Sequence, residues 1–217
     1  MGLPDLLRLI VITDGDLAEP RSVEDVVDEV LMAGVQAIQL RHKTASSRAL
    51  WGQALRLRKQ TRDRGALLFI NDRFDVALAA EADGVHLGPD DLPVETVRKA
   101  APTGFLIGVS TDEPEMAKQV EGAGADYIGC GAVFPTSTKE DAGEVIGVDG
   151  LARVAAAVNI PVVGIGGVTP EGARQIAAAS GAAGVAVISA VMVAPDPAQV
   201  ARELMKPFGG HQPQGVG

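Results

Sequence analysis

Residues 161–191, PVVGIGGVTPEGARQIAAASGAAGVAVISAV, decide the fold. The stretch begins with a short apolar run that ends in two glycines, continues with a helical pattern, and closes with a second apolar run. Two buried strands joined by a helix are typical of a parallel sheet, because the crossover returns the chain to the start of the next strand. The stretch therefore predicts one strand–helix–strand unit.

The same alternation of apolar runs and amphipathic segments repeats along the chain. The eight apolar runs are residues 8–14, 37–41, 66–72, 84–88, 105–110, 126–134, 161–167 and 184–191. Eight such units predict an α/β protein that closes into a (β/α)8 TIM barrel, whereas slightly fewer would suit an open doubly wound sheet. We expect one barrel domain over residues 1–207 and a disordered C-terminal tail over residues 208–217, which lack periodicity.

Composition limits the classes of partner. The chain has 217 residues, of which 47% are hydrophobic and only 3% aromatic, as suits parallel strands buried under alanine-rich helices. A net charge of −9 argues against a nucleic-acid partner. The first apolar run is too short to span a membrane and lacks a cleavage-site pattern, so we expect no membrane partner. The single cysteine, Cys130, fits inert core and a reducing compartment, so we expect a cytoplasmic location.

Unusual polar residues collect where the predicted strands end, which is where barrel enzymes carry their active sites. In chain order they are Gln39, Arg41, His42, Lys43, Asn71, Asp72, His86, Asp91, Ser110, Thr136, Ser137, Thr138, Lys139 and Ser189. Taken one at a time, several have a purely structural explanation. Asp72, Asp91 and Ser110 could cap helices, and His86 could be a hydrogen-bonded core histidine. These explanations weaken once the residues are taken as one ring.

Two kinds of phosphate chemistry are indicated within this ring. Arg41 and Lys43 alone could be rim cations with solvated heads, but together with Lys139 they stand beside the carboxylates Asp72 and Asp91. Cations mixed with carboxylates suit a diphosphate bridged by Mg²⁺.

A second site is indicated after strands seven and eight. Gly166 and Gly167 allow close backbone approach and Ser189 adds a hydroxyl, which is typical of a monophosphate site. One monophosphate and one diphosphate predict a transferase that releases pyrophosphate.

At these positions the chain resembles the thiamine phosphate synthase family, also called thiamine-phosphate pyrophosphorylase. The matching motifs are QLRHK (39–43), IND (70–72), GVHLGPDD (84–91), GVS (108–110), PTSTK (135–139), IGG (165–167) and IS (188–189). The resemblance extends from residue 8 to about residue 206. Two positions depart from the family pattern. Pro89 replaces a glutamine, and Asp112 replaces a histidine.

The resemblance implies a condensation of 4-amino-5-hydroxymethyl-2-methylpyrimidine diphosphate with a thiazole phosphate, giving thiamine phosphate and pyrophosphate. It implies Mg²⁺ as cofactor, held by Asp72 and Asp91. Binding of the pyrimidine diphosphate is implied for Gln39, Leu40, Arg41, His42, Lys43, Asn71, Ser110 and Lys139, with Arg41, Lys43, Ser110 and Lys139 as the catalytic residues. Binding of the thiazole phosphate is implied for Thr136, Ser137, Thr138, Gly167, Ile188 and Ser189. We also expect a homodimer.

Three alternatives remain open at this point. A thiazole tautomerase of the same barrel family would need a histidine for proton transfer, where this chain has Asp112, and has no use for a metal-binding carboxylate pair. A sugar-phosphate isomerase or synthase is supported only by the phosphate site after strands seven and eight. A non-catalytic sensor of a thiamine precursor could dispense with the ring of cations and carboxylates.

Overall fold

Eight parallel strands form a closed barrel in the computed structural model, which describes residues 2–136, 138 and 144–209. The strands are β1 (Leu9–Ile12), β2 (Ala37–Leu40), β3 (Leu67–Asn71), β4 (Gly84–Leu87), β5 (Leu106–Ser110), β6 (Tyr127–Cys130), β7 (Val162–Ile165) and β8 (Gly184–Val187). They pair in sequence order, and β1 closes the barrel by pairing with β8, where Val11 lies opposite Val187. The predicted (β/α)8 barrel is therefore confirmed.

Helices surround the barrel. They are α1 (Leu3–Leu6), α2 (Gly15–Ala18), α3 (Val23–Met32), α4 (Ser47–Arg64), α5 (Phe74–Ala79), α6 (Val94–Ala100), α7 (Pro114–Gly122), α8 (Gly147–Ala155), α9 (Pro170–Ala179), α10 (Ser189–Met192) and α11 (Pro197–Met205). A 3-10 turn, Lys206–Phe208, follows α11 and buries Phe208. The helices described across 2–136, 138 and 144–209 are all too short or too polar to cross a membrane.

Local sequence explains where the helices begin and which face they bury. In α3 the buried side chains are Val23, Val26, Val27, Val30 and Leu31, the spacing of one helical face. The helix begins after Ser22, whose Oγ accepts a hydrogen bond from the Asp25 backbone N–H at 3.1 Å. Such a cap contributes about 1 kcal/mol.

Two aromatic side chains fill the barrel interior beneath the mouth. Phe69 and Tyr127 are fully buried and meet edge to face, with their ring centroids 5.1 Å apart. Glycines make the space for them. A Cβ added to Gly108 would lie 2.1 Å from Tyr127 Cζ, and one added to Gly84 would lie 2.9 Å from Phe69 Cδ1. Phe69 and Tyr127 thus occupy positions where the paired residue on the neighbouring strand is a glycine.

Two predicted strands end four residues earlier than expected, whereas the others end within two residues of the expected position. The sixth apolar run was expected to extend to residue 134, but β6 ends at Cys130 because the chain then turns across the end of β7. There the backbone N–H of Val133 donates to Ile165 O at 2.8 Å. The eighth run was expected to extend to residue 191, but Ser189 begins α10. Of the predicted tail, residues 210–217 lie outside the described residues.

Candidate active site

One cavity of about 340 Å³ opens at the carboxyl end of the barrel, within the range of about 300–1,000 Å³ usual for ligand pockets. Loops that follow β2 to β8 form it. Its polar lining comes from Arg41, Lys43, Asn71, Asp72, His86, Asp90, Asp91, Ser110, Thr136, Thr138 and Ser189, and its backbone lining includes Gly88, Gly131, Gly166, Gly167 and Ile188. Most residues of the expected polar ring that the structure describes therefore line a single cavity, whereas Gln39 and His42 do not.

An acidic pair occupies one side of the cavity. Asp72, which follows β3, has a φ of 63°, a left-handed conformation that few non-glycine residues adopt. Asp91 lies in the loop after β4, where one carboxylate oxygen accepts the Gly88 backbone N–H at 2.7 Å. Helix α5 begins after Arg73 and α6 after Pro93, so residues other than the acidic pair hold the N-cap positions. The acidic pair therefore does not serve to cap these helices.

The two carboxyl groups influence each other directly. Burial, the Asp91 charge and a hydrogen bond between the two carboxyl groups raise the pKa of Asp72 to about 6. The charges of Lys43 and Arg41 act in the opposite direction. Two carboxylates this close are mutually repulsive unless a proton or a cation lies between them. The pair therefore has the charge and oxygen chemistry of a site for a hard cation.

The donor set fits Mg²⁺ better than a metal that needs many protein ligands. In the described part of the chain, three or more His, Cys, Asp or Glu side chains do not gather in any one group that could hold a metal. Mg²⁺ is usually bound by one or two carboxylates and completes its coordination with water and substrate phosphate oxygens. Asp72 and Asp91 match that requirement.

The cationic side of the cavity is held by β1 as well as β2. The backbone N–H of Arg41 donates to Thr13 Oγ1 at 3.0 Å, and its guanidinium lies 3.7 Å from Asp14 Oδ2. The Arg41 side chain is only 11% exposed, so this ion pair is partly shielded from solvent. Sequence reasoning missed Asp14. Its position at the end of the first strand was the available signal.

The other residues of the QLRHK motif (39–43), together with Asn71, separate into two groups. Gln39 lies below the cavity, where its Nε2 donates to Asn71 Oδ1 at 2.7 Å, and Asn71 itself lines the cavity. Leu40 is fully buried, and His42 lies with its Nδ1 3.3 Å from Gln53 Oε1 on α4. Leu40 and His42 are outside the set of described residues that line the cavity.

Ser110 and His86 are joined in the barrel interior. His86 Nε2 lies 2.9 Å from Ser110 Oγ, and His86 Nδ1 lies 2.9 Å from Tyr127 Oη. The interpretation of His86 as a hydrogen-bonded core histidine is therefore confirmed, although its side chain also lines the cavity. Tyr127 was not predicted. The one feature of the sequence that could have drawn attention to it is that the chain has no other tyrosine.

Backbone glycines and hydroxyl groups form the opposite side of the cavity. Gly166 and Gly167 have φ angles of 96° and 61°. A Cβ at Gly167 would lie 2.4 Å from Pro135 O, so a side chain is excluded there. Thr138 Oγ1 donates to Ser189 Oγ at 3.2 Å, which joins the loops after β6 and β8. Two predicted residues of the same motif, Ser137 and Lys139, lie outside the described residues.

The remaining predictions concern Cys130 and the two departures from the family pattern. Cys130 is buried, and burial together with the Asp112 charge raises the pKa of its thiol to about 12. The thiol therefore stays protonated, as expected of an inert core residue. Pro89 lines the cavity next to the acidic pair.

Fold and cavity together define the class of protein: a (β/α)8 barrel whose mouth holds an acidic pair, adjoining cations and, opposite them, a glycine and hydroxyl corner. A family model described as thiamine monophosphate synthase matches residues 9–191. The chain belongs to the thiamine monophosphate synthase family.

Individual relatives agree with this assignment. A thiamine-phosphate synthase of Archaeoglobus fulgidus is 48% identical over 204 residues, which are 94% of each chain. One of Pyrococcus furiosus is 47% identical over 206 residues, 95% of this chain and 97% of its own. The solved thiamine phosphate pyrophosphorylase from Pyrococcus furiosus superimposes with a TM-score of 0.87 at 45% identity, covering 95% of this chain and 98% of that one. The predicted family and enzyme class are confirmed, while the roles of individual site residues stay predictions.

Proposed function

We propose that this enzyme joins 4-amino-5-hydroxymethyl-2-methylpyrimidine diphosphate to a thiazole phosphate, forming thiamine phosphate and pyrophosphate. The observation that carries the proposal is the division of one cavity into two unlike regions. We define the diphosphate region as Arg41, Lys43, Asn71, Asp72, Asp91 and Ser110, and the monophosphate region as Thr136, Thr138, Gly166, Gly167, Ile188 and Ser189. A reaction between a diphosphate and a monophosphate uses both regions.

In the diphosphate region, the charges fit the leaving group. Asp72 and Asp91 would hold Mg²⁺, which when bound supplies positive charge to the diphosphate oxygens. Arg41 and Lys43 stand beside the acidic pair and lower the pKa of Asp72 through their charge. Their guanidinium and ammonium groups stabilise the negative charge that grows on the diphosphate as it departs. Lys139 is assigned the same task, although it lies outside the described residues.

The bond changes require little acid–base chemistry from the protein. The C–O bond between the pyrimidine methylene carbon and the diphosphate breaks, and its electron pair leaves with pyrophosphate. The electron-rich aminopyrimidine stabilises the resulting carbocation, and the thiazole nitrogen then donates its lone pair to the methylene carbon. Buried Cys130, with its raised pKa, is unsuited to act as a nucleophile in competition with the thiazole.

The monophosphate region supports binding of the second substrate. A phosphate group can approach the backbone of Gly166 and Gly167 closely because neither residue carries a side chain. Thr138 and Ser189, which are hydrogen-bonded to each other, bring two hydroxyl groups to the side of the cavity that these glycines form. Neutral hydroxyl and backbone donors suit a phosphate that must be held but not released during the reaction.

A mixing assay tests the function. The purified chain receives the pyrimidine diphosphate, the thiazole phosphate and Mg²⁺, and thiamine phosphate and pyrophosphate are both measured while each component is omitted in turn. We expect the two products in equal amounts and only in the complete mixture. Asp72→Asn and Asp91→Asn should slow turnover by orders of magnitude while the thermal unfolding temperature stays near that of the wild type or rises.

Other outcomes would overturn the proposal. Isomerisation of a thiazole substrate without condensation would identify a tautomerase. Metal-dependent binding of both substrates without products would identify a sensor. Full turnover in the presence of a chelator would remove the role assigned to the acidic pair.

We also propose a homodimer in the cytoplasm. Exposed apolar side chains on α4 and α5 support pairing, namely Trp51, Leu55 and Leu78, which are 40%, 42% and 38% exposed. The buried, unpaired Cys130 fits a reducing compartment. Light scattering of the purified chain tests the first proposal, and cell fractionation tests the second.

A further inference from the structure

A chain of three hydrogen-bonding side chains crosses the barrel interior below the diphosphate region. Tyr127 on β6, His86 on β4 and Ser110 on β5 are linked by two contacts of 2.9 Å each. Tyr127 is fully buried, His86 is 9% exposed, and Ser110 lines the cavity. The chain of contacts therefore runs from the closed interior to the open cavity.

The backbone around these side chains leaves them little freedom. A Cβ at Gly108 would lie 2.5 Å from Tyr127 Oη, and one at Gly129 would lie 3.0 Å from His86 Cε1. The His86 and Tyr127 rings also lie against each other, with centroids 5.5 Å apart. The two rings therefore pack directly against the glycine backbone of the neighbouring strands and against each other. This packing holds them in one arrangement.

The buried tyrosine determines which group donates and which accepts in each of the two hydrogen bonds. Burial, and then the charge of Asp126, raise the pKa of Tyr127 above its ordinary value, so the phenol keeps its proton. A buried O–H without an acceptor costs about 1–3 kcal/mol. Donation to His86 Nδ1 satisfies that proton, and a neutral imidazole that accepts at Nδ1 carries its own proton on Nε2. Nε2 then donates to Ser110 Oγ, and the Ser110 proton is directed toward the cavity.

We propose that Tyr127 and His86 are positioning residues that make Ser110 a hydrogen-bond donor to an anion bound in the diphosphate region. In a serine nucleophile the order is reversed, because a carboxylate accepts Nδ1–H and leaves Nε2 free to take the serine proton. Here the histidine already carries a proton on Nε2. Ser110 therefore serves to bind and stabilise the anion and is not activated for attack.

The tautomer can be observed without any substrate. Nitrogen NMR of ¹⁵N-histidine-labelled protein distinguishes an imidazole protonated on Nε2 from one protonated on Nδ1. The chain has three histidines, and His86→Gln identifies the signal of His86. We expect an Nε2–H tautomer in the wild type and a mixture in Tyr127→Phe. An Nδ1–H tautomer in the wild type would overturn the proposal, since Tyr127 would then donate elsewhere, for example to a water in the cavity of about 10 Å³ beneath the mouth.

A double-mutant cycle tests whether the effect of Tyr127 reaches the anion through Ser110. The probe is inorganic pyrophosphate with Mg²⁺, followed by titration calorimetry. Loss of a hydrogen bond to a charged group predicts that Ser110→Ala weakens binding about tenfold to hundredfold. We expect a loss of about threefold to tenfold for Tyr127→Phe in the wild-type background and almost none in the Ser110→Ala background. Equal losses in both backgrounds would overturn the proposal.

Thr61→Val is the matched control for a buried hydroxyl that lies outside the site. Thr61 is fully buried on α4, and its Oγ1 donates to Arg58 O at 3.1 Å. This variant should lose stability as Tyr127→Phe does, yet bind pyrophosphate as the wild type does. Equal weakening of pyrophosphate binding in both variants would show that Tyr127 acts only through stability.

The consequence for turnover rests on the proposed function, whereas the tautomer and the pyrophosphate cycle do not. In the synthase assay, kcat/KM for the pyrimidine diphosphate should follow the same pattern, with the Tyr127→Phe loss absent when Ser110 is alanine. A wild-type protein that makes no thiamine phosphate would overturn the proposed function alone. The two binding and NMR measurements would still decide the direction of the hydrogen-bond chain.

Discussion

Replacing Gly167 with alanine tests whether the loop after β7 must approach the loop after β6 without a side chain. Gly167 has a φ of 61°, and an added Cβ would lie 2.4 Å from Pro135 O and 2.9 Å from Phe134 Cβ. Gly181 is a matched control. It has a similar φ of 70°, but its added Cβ would meet open space.

Comparing the two variants separates the free-energy cost of a left-handed backbone from the cost of the collision between the added methyl group and its neighbours. A non-glycine residue in the left-handed region costs about 1–2 kcal/mol, which applies to both. Forcing a methyl group into packed surroundings costs about 1–3 kcal/mol more, which applies to Gly167 alone. We therefore expect a loss of about 1–2 kcal/mol in the free energy of unfolding for Gly181→Ala and of about 2–5 kcal/mol for Gly167→Ala.

Urea denaturation followed by circular dichroism measures the two losses, provided that the slope with urea is the same in both variants. Displacement of Phe134 and Pro135 should also move Thr136 and Thr138, so KM for the thiazole phosphate should rise about tenfold in Gly167→Ala, as about 1.4 kcal/mol of lost binding would produce. Gly181→Ala should keep the KM of the wild type. Equal stability losses with unchanged KM would refute the packing argument.

Four further predictions concern individual charges and hydroxyls. Because the pKa of Asp72 is about 6, protons compete with Mg²⁺, and Mg²⁺ affinity measured by calorimetry should fall about tenfold per pH unit below pH 6. In the metal-free protein the same raised pKa means that Asp72 disfavours folding once ionised. Its contribution to the free energy of unfolding should therefore fall as pH rises from about 4 to about 6. A urea midpoint that changes by the same amount over this pH range in wild type and Asp72→Asn would contradict this. Thr138→Val removes the bond to Ser189 and should raise KM for the thiazole phosphate about threefold to tenfold, with KM for the diphosphate substrate unchanged; equal rises in both would argue against separate regions. Arg41→Lys should lower kcat/KM for the diphosphate substrate about tenfold, because an ammonium lacks the planar set of donors that can serve Asp14 and an anion together, and near-normal steady-state rates would argue against that double role.

The sequence predicted most of the fold because the barrel repeats one simple pattern. Four of the eight apolar runs end at a polar residue, so Asn71, Asp72 and Ser110 marked the mouth before any contact was known. The strand ends after β6 and β8 were less predictable. Residues 131–134 are apolar like a strand, but they pair with the end of β7 and its following loop, an interaction that depends on tertiary position.

The sequence predicted the site residues that come at the end of a strand. It missed residues whose role depends on a contact with a side chain from another strand. Asp14 meets Arg41 from the neighbouring strand, and Tyr127 meets His86 from across the interior. Both contacts depend on the register of the barrel and on glycines such as Gly108, which a single sequence does not reveal. His42 shows the reverse case, since it lies within a matching motif but contacts Gln53 on α4.

The closed barrel also orders the two regions of the cavity along the polypeptide. The described residues assigned to the diphosphate region fall between Arg41 and Ser110, and those assigned to the monophosphate region fall between Thr136 and Ser189. Under the proposed function, the described residues that recognise each substrate come from one consecutive half of the chain, and Lys139 is the one residue of the second half that is assigned to the leaving group. Substitutions after residue 131, other than at Lys139, can therefore alter which thiazole is accepted and leave the residues that release pyrophosphate unchanged. Chimeras that exchange only the C-terminal half between relatives should inherit the thiazole preference of its donor.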